Sequence, residues 1–290
     1  MSAKLGRKGK LVFFPYVGGK FFMLDVILKL IPKHEVYVEV FGGSAKVLLN
    51  KPPSNIEIYN DYDKRIANLF YVVAFKFEEF YDKINRLIYS RVLEKQFFED
   101  FRKAKLEELG DVDLAVKTYF LLRVNFSAKI NSPSFRVSYR HKKNEAKIFF
   151  NALLELERIH NRLKNVIVES LDFRDLLSRV IHRENVFIYL DPPYYGVEYY
   201  YNTNFTEQDH KDLLSLLKQA KAKWLLSGYA NPLYDGELKD FYRIEVPAIK
   251  HSYAITMYNQ AKEKPKAIEV LWANYDYDIN KQEAKLWKNL

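Results

Sequence analysis

The segment at residues 186–195 constrains the fold of this chain more than any other part of the sequence. It reads VFIYL followed by DPPYY. Five consecutive apolar residues predict a buried strand, which must end at Asp191 because the two prolines that follow cannot donate hydrogen bonds to a sheet. Open α/β sheets bind ligands beyond the carboxyl ends of their strands. Asp191 and the aromatic Tyr194 beside it are therefore candidate site residues.

Two further strand patterns near the N-terminus each end in a turn with binding potential. Residues 36–41 alternate like a strand and lead through Gly42 and Gly43 into a helical pattern. The turn lacks the Gly-x-Gly-x-x-Gly phosphate motif, which favours a ligand that needs close backbone approach without a pyrophosphate. The next strand, 56–59, ends before Asp61, which follows Gly43 by 18 residues. That spacing is typical of the acid that binds ribose hydroxyls, although a plain surface turn is the alternative.

A second pair of glycines, at 18–19, precedes an apolar helical pattern over residues 24–31. Adjacent glycines let the backbone approach a ligand, and Lys20 then lies near the N-terminus of the helix. Gly-Gly turns are common, so a simple turn explains this motif equally well.

Helical periodicity replaces the strand patterns between residues 64 and 164, and a polar, basic segment at 125–144 interrupts it. This segment contains no acid, and aromatic residues alternate with its cations, as a surface lying against nucleic acid requires. A solvated basic loop is the alternative. The candidate nucleic-acid contacts are Asn125, Lys129, Arg136, Arg140, Lys142 and Lys143.

Composition narrows the function further. The net charge of +9 and the 16% aromatic content suit a nucleic-acid partner. The chain has no cysteine, which excludes disulfides and thiolate chemistry, and its six histidines are too scattered to suggest a metal site. No apolar run is long enough to span a bilayer. We therefore expect a cytoplasmic protein without metal.

Strand patterns resume after the helical region, at residues 166–169, 223–227, 241–246 and 267–272.

The order of the motifs resembles that of the Dam-like DNA adenine-N6 methyltransferases. The motifs are PYxGGK at 15–20, FGGS at 41–44, ND at 60–61 and DPPY at 191–194. The resemblance runs from about residue 13 to about residue 275. Because the glycine motifs precede DPPY, with the long insertion between them, the sequence resembles the alpha group of this family.

The resemblance implies a Rossmann-like α/β fold, with a seven-stranded mixed sheet and helices on both faces. It predicts a catalytic domain at 1–63 and 165–290 and a mostly helical target-recognition insertion at 64–164. It implies S-adenosylmethionine as cofactor and double-stranded DNA as partner. It also allows a cognate restriction endonuclease, a monomeric or weakly dimeric state, and a place beside the nucleoid or, for a viral protein, in the host cytoplasm.

Residue roles follow from the same resemblance. The predicted catalytic residues are Asp191, Pro192, Pro193 and Tyr194. The predicted cofactor-binding residues are Tyr16, Lys20, Phe41, Gly42, Gly43, Ser44, Asp61, Asp172 and Asp191. The insertion differs in detail from the best-known members of the family, so the resemblance does not assign its base-reading side chains.

The predicted chemistry is methylation of the N6 amino group of an adenine flipped out of the duplex. The Asp191 carboxylate and the carbonyl of Pro192 accept hydrogen bonds from the amino group, and Tyr194 stacks on the base. The missing cysteine excludes methylation at cytosine C5. Cytosine N4 or RNA adenine as acceptor, and a DNA-binding protein without catalysis, remain alternatives. A nicotinamide dehydrogenase is disfavoured by the glycine turn.

Overall fold

The computed structural model describes residues 9–16, 23–103, 110–128, 130–138, 143–198, 204–249 and 266–277. These residues contain a seven-stranded mixed sheet with strand order β3-β2-β1-β4-β5-β7-β6. The strands are β1 Val36–Glu39, β2 Ile56–Asn60, β3 Ile167–Glu169, β4 Val186–Leu190, β5 Lys223–Tyr229, β6 Tyr242–Ile249 and β7 Lys266–Ala273. The predicted mixed sheet of seven strands is confirmed.

Helices follow most strands in the chain. They are α1 Leu24–Leu30, α2 Lys46–Asn50, α3 Lys64–Phe75, α4 Phe77–Asn85, α5 Arg91–Lys103, α6 Asp111–Val124, α7 Glu145–Leu153, α8 Leu156–Leu163, α9 Phe173–Val180, α10 Glu207–Lys218 and α11 Pro232–Glu237. The strand order reverses between β1 and β4, and helices lie on both faces of the sheet.

Strand β4 lies at the centre of the sheet, where its sequence requires it to be. All five of its residues are buried. It pairs in parallel with β1, with Val38 opposite Ile188, and in parallel with β5, with Leu226 opposite Leu190. A strand buried on both faces and along both edges has no place for polar side chains, so the first polar residue, Asp191, marks where the chain leaves the sheet.

Strand β7 makes the sheet mixed, because it runs antiparallel to both β5 and β6. The last two strands are longer than their apolar patterns indicated, since pairing between β6 and β7 continues to Ile249 and Lys266. At the other end of the chain, β1 stops at Glu39 although the alternating pattern runs to Phe41.

A capping box begins α10. The Thr206 hydroxyl accepts from the Asp209 N–H, and the Asp209 carboxylate accepts from the Thr206 N–H. Within the described residues, no helix combines the length and apolar character that crossing a membrane requires.

The chain divides into two compact units. One comprises Met1–Gly19, Gly42–Pro52 and Ile56–Leu171, and the other comprises Lys20–Phe41, Pro53–Asn55 and Asp172–Leu290. The helices of the predicted insertion, α3 to α8, thus fall in the same unit as β2, β3 and the glycine turn. The proposed domain boundaries at 64 and 164 stay a prediction.

Aromatic packing holds the helices of the first unit together. The Phe13 ring meets the Phe70 ring of α3 edge-on at 5.1 Å, and it lies 5.6 Å from the Tyr119 ring of α6. All three side chains are almost completely buried. The helical periodicity at 64–164 therefore reports a real apolar core, as predicted.

A buried ion cluster in the same unit ties β2 to α8. Glu57 accepts from Lys51 Nζ at 2.5 Å and from Arg162 Nη1 at 2.5 Å. Arg162 Nη2 also donates to the Leu48 carbonyl at 2.6 Å. Burial alone raises the pKa of Glu57, but hydrogen bonds and charges from Arg162 and Lys51 outweigh it and hold that pKa below its ordinary value.

Candidate active site

The carboxyl end of β4 lies at the point where the strand order reverses, beside β1. The contact between the two strands continues past β1, because the Val40 N–H donates to the Tyr189 carbonyl at 3.2 Å. Asp191 is half-buried, and the two prolines and Tyr194 after it are buried. The Asp191 carboxylate is therefore held at the reversal point of an open α/β sheet, where such folds bind ligands.

A serine on the neighbouring strand contacts the predicted catalytic carboxylate. Ser227, on β5, is completely buried and donates to Asp191 Oδ1 at 2.9 Å. Its hydroxyl also lies 3.2 Å from the Leu190 carbonyl and 3.4 Å from the Tyr189 hydroxyl. The carboxylate is thus oriented from the side of β5.

Tyr194 is packed among residues of β5 and β7. Its ring meets the Tyr229 ring edge-on at 4.5 Å, and its hydroxyl donates to Glu269 Oε2 at 3.3 Å. Tyr229 and Glu269 are register partners in the antiparallel pair. Because Tyr194 is only 4% exposed, a base reaches the face of its ring only after neighbouring atoms move.

The chain turns sharply after Tyr194 and is anchored by a buried histidine. The Val197 N–H donates to the Tyr194 carbonyl at 3.0 Å, and the Gly196 N–H donates to Glu198 Oε1 at 2.9 Å. His210 Nε2 lies 3.1 Å from the same Glu198 oxygen. Because a carboxylate only accepts hydrogen bonds, Nε2 carries the hydrogen.

The other ring nitrogen of His210 completes a directional chain of hydrogen bonds. Nδ1 lies 2.7 Å from the Tyr234 hydroxyl and accepts from it. Burial lowers the pKa of His210 although the Glu198 carboxylate opposes that change, so the imidazole is neutral near pH 7. The turn that follows the DPPY motif is therefore fixed to α10 and α11.

Phe41 belongs to an aromatic cluster beside this turn. Its ring lies 5.7 Å from the Phe173 ring and 5.7 Å from the Phe205 ring.

Asp172 begins α9 as its N-cap and accepts from the Arg174 N–H at 2.8 Å. The Arg174 guanidinium pairs with Asp172 and with two carboxylates of α10, those of Asp209 and Asp212. Asp172 thus has a structural role at a helix N-terminus.

The glycine turn lies in the first unit and is packed under two tyrosine rings. A Cβ at Gly42 would lie 2.1 Å from the Tyr59 ring, and one at Gly43 would lie 2.9 Å from the Tyr16 ring. Gly43 also has a φ of +49°, which favours glycine. The sequence suggested ligand approach as the reason for these glycines, and contact with aromatic rings of the protein itself supplies a second reason.

Asp61 is bonded to this turn. Its Oδ2 accepts from the Gly43 N–H at 2.8 Å and its Oδ1 from the Asp63 N–H at 2.8 Å. Burial, with the nearby Asp63 charge, raises the pKa of Asp61 to about 7, although the two N–H bonds oppose the shift. Tyr16, Gly43 and Asp61, separated in sequence, therefore lie together, and their predicted contacts with a cofactor stay a prediction. Ser44 is buried next to them, and Lys20 lies outside the described residues.

Comparison with protein-family models gives one assignment. Residues 16–255 match the model of the D12 class N6 adenine-specific DNA methyltransferases. The chain belongs to this family. The match spans the glycine turn, the helical insertion and the DPPY motif, so the predicted resemblance is confirmed at the level of the family.

Curated relatives are modification methylases and DNA adenine methylases. The Modification methylase StsI of Streptococcus sanguinis is 27% identical over 90% of this chain, which spans 42% of that protein. The Type II methyltransferase M1.LlaDCHI of Lactococcus lactis subsp. cremoris is 24% identical, with 91% of this chain and 95% of the relative covered. The DNA adenine methylase of Escherichia coli K12 is 24% identical, with 74% and 75% covered.

One solved structure, the precorrin 8W decarboxylase of Methanobacterium thermoautotrophicum, superposes with a TM-score of 0.35 and 8% identity over 87% of this chain and 88% of its own. That likeness is too weak to support a functional comparison.

The predicted DNA contacts lie in the predicted insertion, and those that the structure describes differ in how far their side chains are exposed. Asn125 is buried and pairs with Phe135 across a β-bridge. Arg136 forms an ion pair with Glu145 at 3.0 Å and donates to the Arg123 carbonyl. Lys143 is exposed, as is half of the Phe126 side chain. Lys129, Arg140 and Lys142 lie outside the described residues.

Three residues of this site were not predicted from the sequence to have individual roles. They are Ser227, Glu269 and His210. Ser227 and Glu269 lie in strands whose apolar patterns hid them, since a single polar residue in a buried strand is a weak signal until its partner across the sheet is known. Among the described residues no cluster of His, Asp or Glu side chains could hold a metal ion.

Proposed function

We propose that this methyltransferase transfers a methyl group from S-adenosylmethionine to the N6 amino group of an adenine flipped out of double-stranded DNA at a specific sequence. The observation that supports this most directly is the Asp191 carboxylate, oriented by Ser227 at the reversal point of the sheet. Family membership indicates that the methylated base is adenine and that the acceptor atom is N6. Predicted roles for the individual residues remain part of the proposal.

The residues of the glycine turn fit S-adenosylmethionine, which supplies an activated methyl group when bound. Asp61 is a buried acceptor beside a backbone turn, and such an acid suits ribose hydroxyls. Phe41 and Phe173 offer apolar rings next to Asp172. We assign cofactor contacts to Tyr16, Lys20, Phe41, Gly42, Gly43, Ser44, Asp61, Asp172 and Asp191.

Asp191 does its chemistry as a hydrogen-bond acceptor. The exocyclic nitrogen of adenine is a weak nucleophile because its lone pair is delocalised into the ring. When its hydrogens are bonded to Asp191 and to the Pro192 carbonyl, the nitrogen is drawn toward tetrahedral geometry and its lone pair is aimed at the methyl group. The N–C bond would form as the methyl–sulfur bond of the sulfonium breaks, which would leave a neutral thioether. The Asp191 carboxylate would stabilise the cationic nitrogen until its proton passes to water. Pro193 keeps the corner rigid.

Flipping the adenine costs stacking energy, which an aromatic contact partly restores. We propose that Tyr194 provides that contact once neighbouring atoms have moved from its face. Because its hydroxyl is bonded to Glu269, the ring is held in one orientation for the incoming base.

The decisive test uses radiolabelled S-adenosylmethionine with unmethylated double-stranded DNA and, in parallel, with RNA, followed by nucleoside analysis. The proposal requires N6-methyladenine in DNA. Label in N4-methylcytosine or in RNA would favour the alternative acceptors, and DNA binding without label would favour a non-catalytic protein. Sequencing the modified DNA then gives the recognition site.

Cofactor affinity is expected to fall as the pH is lowered through about 7, the value to which burial raises the pKa of Asp61. The ionised carboxylate is the form that accepts hydrogen bonds from ribose, so binding is strongest above that pKa and is lost below it. Isothermal titration calorimetry should show about tenfold weaker binding of S-adenosylmethionine at pH 6 than at pH 8.

Asp61→Asn is the matched control for this titration, because it keeps the shape and removes the ionisable group. Its binding should be weaker at pH 8 and nearly flat over the same range. Equal pH dependence in the wild type and in Asp61→Asn would assign the effect to another group and contradict the role of Asp61.

The insertion is proposed to hold DNA through its basic segment, with contacts from Asn125, Lys129, Arg136, Arg140, Lys142 and Lys143. Lys143 is the exposed cation among the described members of this set. Lys143→Ala should weaken binding to every DNA sequence, and the slope of log K against log salt should fall by about one unit. Fluorescence anisotropy at several salt concentrations measures both.

Lys221→Ala removes an exposed lysine outside the insertion and serves as the control for that experiment. Its salt slope should match that of the wild type. If Lys143→Ala also leaves the slope unchanged, Lys143 does not contact phosphate.

We also propose a protein partner besides DNA, from the names of the relatives. Relatives named modification methylases make a cognate restriction endonuclease a reasonable companion. We also propose that the protein acts in the cytoplasm, beside the nucleoid or, for a viral protein, in the host cytoplasm. We propose a monomer or a weak dimer, because one flipped base needs one active site.

A further inference from the structure

We propose that Ser227 is a positioning residue for methyl transfer, and that the Tyr189 hydroxyl sets the direction in which Ser227 donates. This inference rests on the proposed function, in which Asp191 accepts hydrogen bonds from the target amino group. It adds a pair of buried hydroxyl groups that touch neither base nor cofactor and act through the carboxylate.

The geometry of adjacent strands brings the three side chains together. Tyr189 and Asp191 are two residues apart, so they point to the same side of β4 and its extension. The pairing of Leu190 with Leu226 puts Ser227 beside Asp191 on the next strand. Both hydroxyl groups are buried, since Tyr189 is 1% exposed and Ser227 is fully buried.

A serine hydroxyl has one hydrogen, and three possible acceptors lie within reach of it. They are Asp191 Oδ1 at 2.9 Å, the Leu190 carbonyl at 3.2 Å and the Tyr189 hydroxyl at 3.4 Å. The carboxylate is nearer and charged, and hydrogen bonds to charged acceptors are about twice as strong as neutral ones. The hydrogen therefore points mainly at Asp191.

Tyr189 reinforces that direction. Its hydroxyl lies 3.4 Å from Ser227 Oγ. Burial raises the pKa of Tyr189 well above its ordinary value, with the Asp191 charge acting in the same direction, so the phenol keeps its hydrogen and is available as a donor. When the Tyr189 hydroxyl donates to Ser227 Oγ, the hydrogen of Ser227 points away from Tyr189. Tyr189 then donates to Ser227, and Ser227 donates to Asp191.

The consequence for catalysis is orientation. With Oδ1 bonded to Ser227, the carboxylate plane is fixed relative to the sheet edge, and the target amino group meets an acceptor in a defined direction. Hydrogen-bond acceptors in catalysis are effective only when they are held in place before the reaction, and misplacement by about 1 Å can cost about 100-fold. Because Ser227 touches neither base nor cofactor in this proposal, its loss should change their affinities much less than the rate.

The test is the single-turnover rate of methyl transfer to unmethylated plasmid DNA at saturating S-adenosylmethionine. Ser227→Ala should lower this rate about 10- to 100-fold while the dissociation constants for DNA and S-adenosylmethionine change less than about twofold. Ser227→Thr keeps the hydroxyl and should restore most of the rate. Tyr189→Phe keeps the ring and should lower the rate by a smaller factor.

Thr118→Val controls for removal of a buried hydroxyl elsewhere, since Thr118 is fully buried in α6. It should leave the rate unchanged, and circular dichroism checks that every variant is folded. A full rate in Ser227→Ala, or no recovery in Ser227→Thr, overturns the inference. Activity in Asp191→Ala instead overturns the proposed function, so the two failures are distinguishable.

Discussion

Replacing Asp191 with alanine is expected to abolish methyl transfer while DNA binding is retained. The substitution removes the side chain proposed to accept from the target amino group, and loss of one such preorganised group costs about 10²- to 10³-fold or more. Steady-state transfer of a labelled methyl group should therefore fall below detection. The dissociation constant for DNA, measured by anisotropy, should change little because the basic insertion is unaltered.

Asp240→Ala is a suitable comparison, because it removes an exposed carboxylate between α11 and β6. Its activity should equal that of the wild type, which shows that loss of one negative charge is not enough to stop the reaction. Full activity in Asp191→Ala would contradict the mechanism. Loss of DNA binding together with activity would give Asp191 a role in folding or DNA contact instead.

Glu57→Gln is expected to produce the largest loss of stability. Glu57 lies between Lys51 and Arg162, and the Lys51 and Glu57 side chains are 1% and 4% exposed. Removing the carboxylate charge takes this counter-ion from the buried Lys51 and the part-buried Arg162, which costs roughly 3–5 kcal/mol in the free energy of unfolding. Urea denaturation followed by circular dichroism should show the midpoint shifted to lower urea.

Glu99→Gln makes the same chemical change in an exposed setting. Glu99 lies 3.0 Å from Arg102 and 4.0 Å from Lys103, on the surface of α5. Its loss should reduce stability by less than about 1 kcal/mol, because surface ion pairs are weak. Equal effects from the two variants would mean that burial of the Glu57 cluster does not govern its contribution.

The pH dependence of the Glu57 contribution follows from its lowered pKa. A carboxyl group whose pKa is lower in the folded chain stabilises the fold when it is ionised. This contribution is therefore complete above the reference value of 4.5 and is lost as the pH falls through the lower folded value. The difference in stability between wild type and Glu57→Gln should shrink in that acidic range.

Much of the fold was predictable because its strong signals are local. The apolar run of β4 and the prolines after it specify a buried strand and its end without reference to the rest of the chain. The Thr206 capping box is likewise contained within four residues. The extents of β6 and β7 were not predictable, because an antiparallel pair ends where its partner ends, and the two strands are separated in sequence.

The candidate site was predictable as a set of motifs but only partly as a set of contacts. The order of the motifs placed Tyr16, Gly43 and Asp61 in one group, and the structure brings them together. It also shows why position 42 is glycine, since the Tyr59 ring occupies the space of a side chain there. Arg136 was predicted to contact DNA, yet in this structure it is paired with Glu145, and that DNA contact stays a prediction.

The sequence by itself determined the class of sheet, the end of its central strand β4, the family and the acid that follows β4. These properties follow from short stretches of sequence. Within each stretch, neighbouring residues lie in the same environment, so the local pattern alone indicates the structure. Only the tertiary structure decided that Ser227 orients Asp191, that Glu269 holds Tyr194, and that Glu57 joins Lys51 to Arg162. Such contacts join distant residues, and strand register and packing determine which side chains meet.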